Sequence, residues 1–206
     1  MYVLLTVFIG YLFGCLHGSQ IIGKYKQINL KQEGSKNAGA SNTAILLGWR
    51  YGFIVAIIDI TKAMASFLVI AMILQESNLM IDVQLLFYLN GLFVLIGHNF
   101  PLTMHFKGGK GTASFLGFLL CLDWKFALMA FSLFLLVAMI TKYFVLGTLM
   151  GYISFVIYTA TLFDRSITIV SIAFILLFML KHIDNFKRIA SKEELKISTV
   201  FRKEVS

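Results

Sequence analysis

Long apolar stretches alternate with short polar ones along this chain. Runs free of charge cover 1–23, 84–104, 124–141, 143–163 and 166–180. Each is close to the ~20 residues that cross a bilayer as a helix. The stretch 43–75 is also apolar, broken by Arg50, Asp59 and Lys62. The run 112–122 is apolar but short, and at ~1.5 Å per residue it does not comfortably span ~30 Å of hydrocarbon. The pattern predicts an all-α integral membrane protein of about seven transmembrane helices. It forms a single polytopic domain over 1–206, with 181–206 as a basic tail.

Composition supports this reading. Of the 206 residues, 59% are hydrophobic, 14% are charged and one is proline, whereas soluble domains carry about 25% charge. No basic residue precedes the apolar part of "MYVLLTVFIGYLFGC", which argues for a membrane helix over a cleaved signal peptide. Cys15 and Cys121 both fall inside apolar runs. They read as packed, reduced thiols.

The net charge of +8 matters through its placement. With the N-terminus outside and seven alternating segments, the inside receives Lys24, Lys26, Lys31, Lys36, Lys107, Lys110, Lys142, Lys181 and the tail. The outside receives only Lys125 and Arg165 among lysines and arginines. The positive-inside rule favours that orientation, with a cytoplasmic C-terminus. Counting 112–122 as a helix keeps the parity. Anionic lipid or phosphate suffices as partner for the basic face; neither nucleic acid nor a protein partner is called for.

Three polar segments, 24–43, 105–112 and 181–196, fall on that same face. In "FKGGKGTASF" glycines let backbone amides turn toward a ligand, and a helical run starts at Thr112. Amides at a helix start beside lysines make an anion site. A flexible inner turn explains the loop equally well. It is no Walker-type loop, because Gly111 follows Lys110. "GSKNAGASNT" offers Ser35, Asn37, Ser41 and Asn42 as hydrogen-bonding groups, although Asn42 or Thr43 could instead cap the next helix. In "KHIDNFKRIASKEE", His182 and Asn185 share a helix face, with Lys187 and Arg188 at the membrane edge. Asp59 and Lys62 read mainly as a mutually neutralising pair. The histidines His17, His98 and His105 lack metal-ligand spacing, so no metal is expected.

Together these segments resemble the bacterial acyl-phosphate-dependent glycerol-3-phosphate acyltransferase family. "GSKNAGASN" is similar to its G-S-G-N-x-G-A-T-N except at Lys36 and Ser41. "GHNFPLTMHFKGGKG" fits G-H-x-F-P…F-K-G-G-K-G throughout. "HIDNFKRIASKEE" keeps His182, Asn185 and Arg188 of H-R-x-N-I-x-R-L…G-x-E, and "DITKA" resembles D-x-x-K-G. The resemblance implies seven membrane helices around a site on the cytoplasmic face of the bacterial cell membrane. It implies transfer of an acyl group from acyl phosphate to the 1-hydroxyl of sn-glycerol 3-phosphate, giving lysophosphatidic acid and phosphate. No coenzyme A, acyl carrier protein, metal or other cofactor is implied. Ser35, His182 and Asn185 would be catalytic. Lys31, Asn37, Asn42, Lys107, Gly108, Gly109, Lys110 and Gly111 would bind substrate.

Asn29, Lys31, Lys36, Ile183 and Lys192 depart from the family pattern, where Asp, Arg, Gly, Arg and Gly are usual. A lysine does not reproduce a bidentate guanidinium clamp. A paralogue acylating another acceptor therefore stays open. So does a non-catalytic membrane protein that binds lipid or acyl phosphate. An anion transporter is disfavoured, because no symmetric pair of broken helices is visible.

Overall fold

The structure is a computed structural model that describes residues 1–75 and 82–198. Residues 76–81 and the end of the tail, 199–206, lie outside the described residues. Nine α-helices occur among those described: α1 (Tyr2–Gly14), α2 (Gly18–Lys26), α3 (Ala40–Leu47), α4 (Trp49–Gln75), α5 (Val83–Asn99), α6 (Thr112–Leu122), α7 (Trp124–Thr141), α8 (Phe144–Leu162) and α9 (Arg165–Ala190). A 3-10 turn, Leu102–Met104, follows α5.

Among the described residues, six spans are long and apolar enough to cross a membrane: α1 with α2, α4, α5 with its 3-10 turn, α7, α8 and α9. The exceptions are α3, with 8 residues, and the apolar α6, whose 11 residues reach about 16 Å. The sequence expectation of seven helices thus becomes six long spans and one short buried helix. Asp123 ends α6 and caps α7, accepting from the backbone N–H groups of Lys125 and Phe126.

Two apolar runs that read as continuous are broken. Run 1–23 is interrupted between Gly14 and Gly18. Run 43–75 is interrupted at Gly48, whose φ of 92° belongs to glycine. The first break explains the intramembrane charges. Lys62 Nζ donates to the carbonyl oxygens of Gly14 (3.2 Å) and Leu16, which the end of α1 leaves free. Asp59 lies 2.9 Å from Lys62, and its Oδ1 accepts weakly from the N–H of Gly18 at the start of α2. A cation thus meets a helix C-terminus and an anion a helix N-terminus. Both side chains are buried.

Packing centres on aromatic rings. Tyr88, Phe115, Phe118, Phe126, Tyr152, Phe155, Phe174 and Phe178 form one buried cluster joining α5, α6, α7, α8 and α9. Phe115 stacks on Tyr152 with ring centroids 3.9 Å apart. Against the other face of α5, α1 packs with almost no space between backbones. A methyl group on Gly14 would lie 2.3 Å from the Val94 oxygen, and one on Gly97 would lie 2.2 Å from the Tyr11 oxygen. Small residues permit this approach. The result fixes α5, and with it the loop that follows.

Candidate active site

That loop is held from below. The N–H of Gly108 donates to the Asn99 oxygen and the N–H of Gly109 to the His98 oxygen, each at 3.1 Å. Polar backbone inside a membrane protein needs such internal partners. Chain direction then reverses through Gly111, at φ 81°, into α6. No side chain caps this helix. Its first-turn N–H groups therefore lack intrahelical acceptors, and Gly111, Thr112 and Ala113 line a cavity of about 820 Å³.

Two other segments complete the polar end of the cavity. Ser35, Lys36 and Asn37 reach it from the loop before α3, and His182, Asn185 and Arg188 from the last turns of α9. Lys110 joins them. Its ammonium donates to Asn185 Oδ1, while Asn185 Nδ2 donates to Glu194 Oε1. Arg188 Nε donates to the second oxygen of Glu194 at 2.7 Å. Burial above all pulls Lys110 down to about 8, with Glu194 pulling the other way. His182 stacks on Phe178, and its Nδ1 lies 2.9 Å from the Phe178 oxygen. A carbonyl only accepts, so the proton sits on Nδ1 and Nε2 carries the lone pair. The opposite end is apolar, formed by Ile57 and Ile60 of α4, Leu116 of α6, Phe131 and Phe134 of α7 and Phe144 of α8.

The structure therefore gathers Ser35, Asn37, Lys110, Gly111, His182 and Asn185 around one space. It places the other sequence candidates elsewhere. Asn42 is fully buried, donates to the Leu30 and Glu33 oxygens and accepts from the Ser35 N–H. It shapes the loop from within and leaves no group for a ligand. Gly108 and Gly109 do not line the cavity, because their N–H groups already pin the loop to α5. Lys107 is exposed and lies outside the cavity. Lys31 opens onto a different pocket. Conversely, Thr112, Arg188 and Glu194 line the cavity without having been singled out as site residues. Only the third motif's arginine and terminal glutamate hinted at two of them.

A sequence-family profile described as glycerol-3-phosphate acyltransferase matches residues 4–192. The chain belongs to the glycerol-3-phosphate acyltransferase family. It is 48% identical to "Glycerol-3-phosphate acyltransferase 1" of Oceanobacillus iheyensis, with 100% of both chains covered. It is 32% identical to the glycerol-3-phosphate acyltransferase of Thermoanaerobacter pseudethanolicus, over 96% of each chain. Crystal structures of PlsY, an integral membrane glycerol 3-phosphate acyltransferase, superpose with TM-scores of 0.85 for the glycerol 3-phosphate form and 0.83 for the lysophosphatidic acid form. Both are 26% identical, and 97% of this chain is covered; the shares of those chains are 98% and 97%.

Two departures from the acyltransferase pattern acquire a physical meaning here. Lys36 and Lys192 stand where the motifs have glycines, and both have left-handed backbones, at φ 55° and 63°. Glycine is the residue best suited to such a backbone.

Proposed function

We propose that this chain moves a fatty acyl group from acyl phosphate to the 1-hydroxyl of sn-glycerol 3-phosphate, releasing lysophosphatidic acid and inorganic phosphate. One observation carries the reading: a single cavity joins a polar end, where Lys36, Lys110 and Arg188 stand beside Glu193 and Glu194, to an apolar slot between α4, α6, α7 and α8. An acyl phosphate has that polarity, with a lipid chain at one end and a phosphate at the other. The relatives' names and the two ligand forms of PlsY support the acceptor and the product.

Acyl phosphate is already activated, so catalysis needs position and charge stabilisation more than a protein nucleophile. The acceptor hydroxyl oxygen attacks the acyl carbonyl carbon. An ester C–O bond forms and the C–O bond to phosphate breaks. Lys110 and the N–H groups opening α6 stabilise negative charge on the carbonyl oxygen and the leaving phosphate. His182 Nε2 orients the hydroxyl and takes its proton, which ends on the departing phosphate. Asn185 positions Lys110 through its side-chain oxygen. Ser35 and Asn37 supply hydrogen bonds to the acceptor from the opposite wall.

The N-terminus lies outside and the cavity opens to the cytoplasm in this reading, supported by the lysine distribution. Cysteines replacing Lys36, Lys107 and Ser191 would resist an impermeant thiol reagent in intact cells, while Lys125→Cys would label; the reverse pattern would invert the topology. The chemical assignment is tested with purified protein, an acyl phosphate and a panel of hydroxylated acceptors. Phosphate release dependent on glycerol 3-phosphate is expected. Release dependent only on another acceptor would move the substrate assignment, and no consumption of acyl phosphate would end the enzyme reading.

A further inference from the structure

A second pocket of about 470 Å³ lies between α2 and the turn after α5. Ser19, Lys24, Gln27, Asn29, Lys31 and His105 contribute its polar surface, and no aspartate or glutamate lines it among the described residues. Its walls are tied together. Gln20 Nε2 donates to the Thr103 oxygen and Thr103 Oγ1 to the Cys15 oxygen, each at 3.3 Å. Ser19 is 3% exposed, and its hydroxyl has no hydrogen-bond partner among the described residues. A buried hydroxyl left unpaired is unfavourable. Lys31 reaches only a long contact, 3.5 Å, with the Met104 oxygen. Burial and then Lys107 draw Lys31 below the usual lysine range. Cationic and hydroxyl donors thus converge without an anion among them.

The position indicates where an anion would come from. The apolar spans Tyr2–Lys26 and Val83–Met104 both end at this pocket, which sets it at the membrane boundary. The segments that form it also expose large apolar side chains: Ile21 at 53% and Tyr25 at 74% on α2, and Leu102 at 60% and Phe106 at 56% in the turn after α5. A free phosphate needs none of them. A headgroup that stays attached to acyl chains uses both the donors and this apolar rim.

We propose that this pocket binds the phosphate-bearing headgroup of an anionic membrane phospholipid, separately from the acyl-transfer cavity. The phosphate oxygens take hydrogen bonds from Ser19 and charge from Lys24 and Lys31, while the acyl chains lie along the apolar side chains exposed at the adjoining turn, Leu102 and Phe106. Ala38 lines this pocket, and Asn37 and Gly39 line the catalytic cavity. A bound headgroup therefore braces the same loop that carries Ser35.

Native mass spectrometry of the purified, detergent-solubilised full chain tests this directly. The probes are dioleoyl phosphatidylglycerol, dioleoyl phosphatidylcholine and inorganic phosphate. The wild type is expected to retain one phosphatidylglycerol in preference to phosphatidylcholine. The Lys24→Gln/Lys31→Gln double variant should lose at least about fivefold in retention, since charge-assisted contacts dominate such sites. Lys187→Gln, which removes an exposed lysine outside both pockets, serves as the control and should retain lipid normally. Thermal unfolding of each variant checks that it is folded. Equal phosphatidylglycerol retention by wild type and double variant would overturn the proposal. So would displacement of the lipid by millimolar inorganic phosphate, which would make the pocket a soluble-anion site.

Discussion

The Lys110 ammonium donates to the side-chain oxygen of Asn185, joining the loop ahead of α6 to the last turns of α9. This bond spans two of the three polar segments and holds a half-buried cation where a phosphate can reach it. Because burial brings Lys110 to about 8, its charge is sensitive to mild alkali.

The first prediction follows from that sign. Lys110 is charged below about pH 8 and neutral above it, so kcat/KM for acyl phosphate should fall as pH rises through that value. Lys110→Arg should remove this alkaline limb, because a guanidinium stays protonated. Lys110→Gln should lose about 10²–10³-fold in kcat, comparable with losing one oxyanion donor. An unchanged alkaline limb in Lys110→Arg would assign the titration to another group.

His182 is fixed by the Phe178 carbonyl at 2.9 Å, which leaves Nε2 for chemistry. Replacing it with Phe should lower the single-turnover rate about 10²–10⁴-fold. Acyl phosphate should still bind with little change. Parallel losses of binding and rate would make His182 a wall of the pocket and nothing more.

Gly109 is better explained by packing than by anion binding. A methyl group there would lie 2.2 Å from His98 Nε2 and 2.6 Å from the Ala38 oxygen. Gly109→Ala should therefore destabilise the fold by about 1–3 kcal/mol, the usual range for overpacking. Thermal unfolding in detergent should report it alongside any kinetic loss. A kinetic defect at undiminished stability would restore a direct role in binding phosphate.

The left-handed lysines Lys36 and Lys192 should separate stability from function. Lys192→Gly relieves a backbone strained at φ 63° and should raise stability by up to about 1 kcal/mol. Lys36→Gly relieves a similar strain but removes a cation from the cavity wall. It should therefore raise the KM for glycerol 3-phosphate while stability is kept or improved. A lower KM would show that Lys36 obstructs the acceptor.

Removing one member of the Asp59–Lys62 pair leaves a buried charge alone, which typically costs about 3–5 kcal/mol. Lys62→Met also abandons the Gly14 and Leu16 carbonyls. It should lower the unfolding temperature more than Asp59→Asn does. Indistinguishable melting curves for the two variants would show that those carbonyls find other partners.

Hydropathy alone determined the membrane class and most of the spans, because a bilayer rewards ~20 apolar residues in a row whatever they touch. The lysine bias predicts that three polar segments share one face, and short connections favour their meeting. Ser35, Lys110, His182 and Asn185 are nominated through the family resemblance those segments carry. Only tertiary structure decided the rest. Asn42, Gly108 and Gly109 look like ligand groups until the partners of their donors are known, and those partners are carbonyls of Leu30, Glu33, Asn99 and His98. Lys31 and Lys107 share the face but not the cavity. The role of Lys62 depends on a helix break that no run of apolar residues announces. Hydropathy records what each side chain prefers as solvent. Which backbone oxygens are left free, and which donors reach them, is set only when the helices pack.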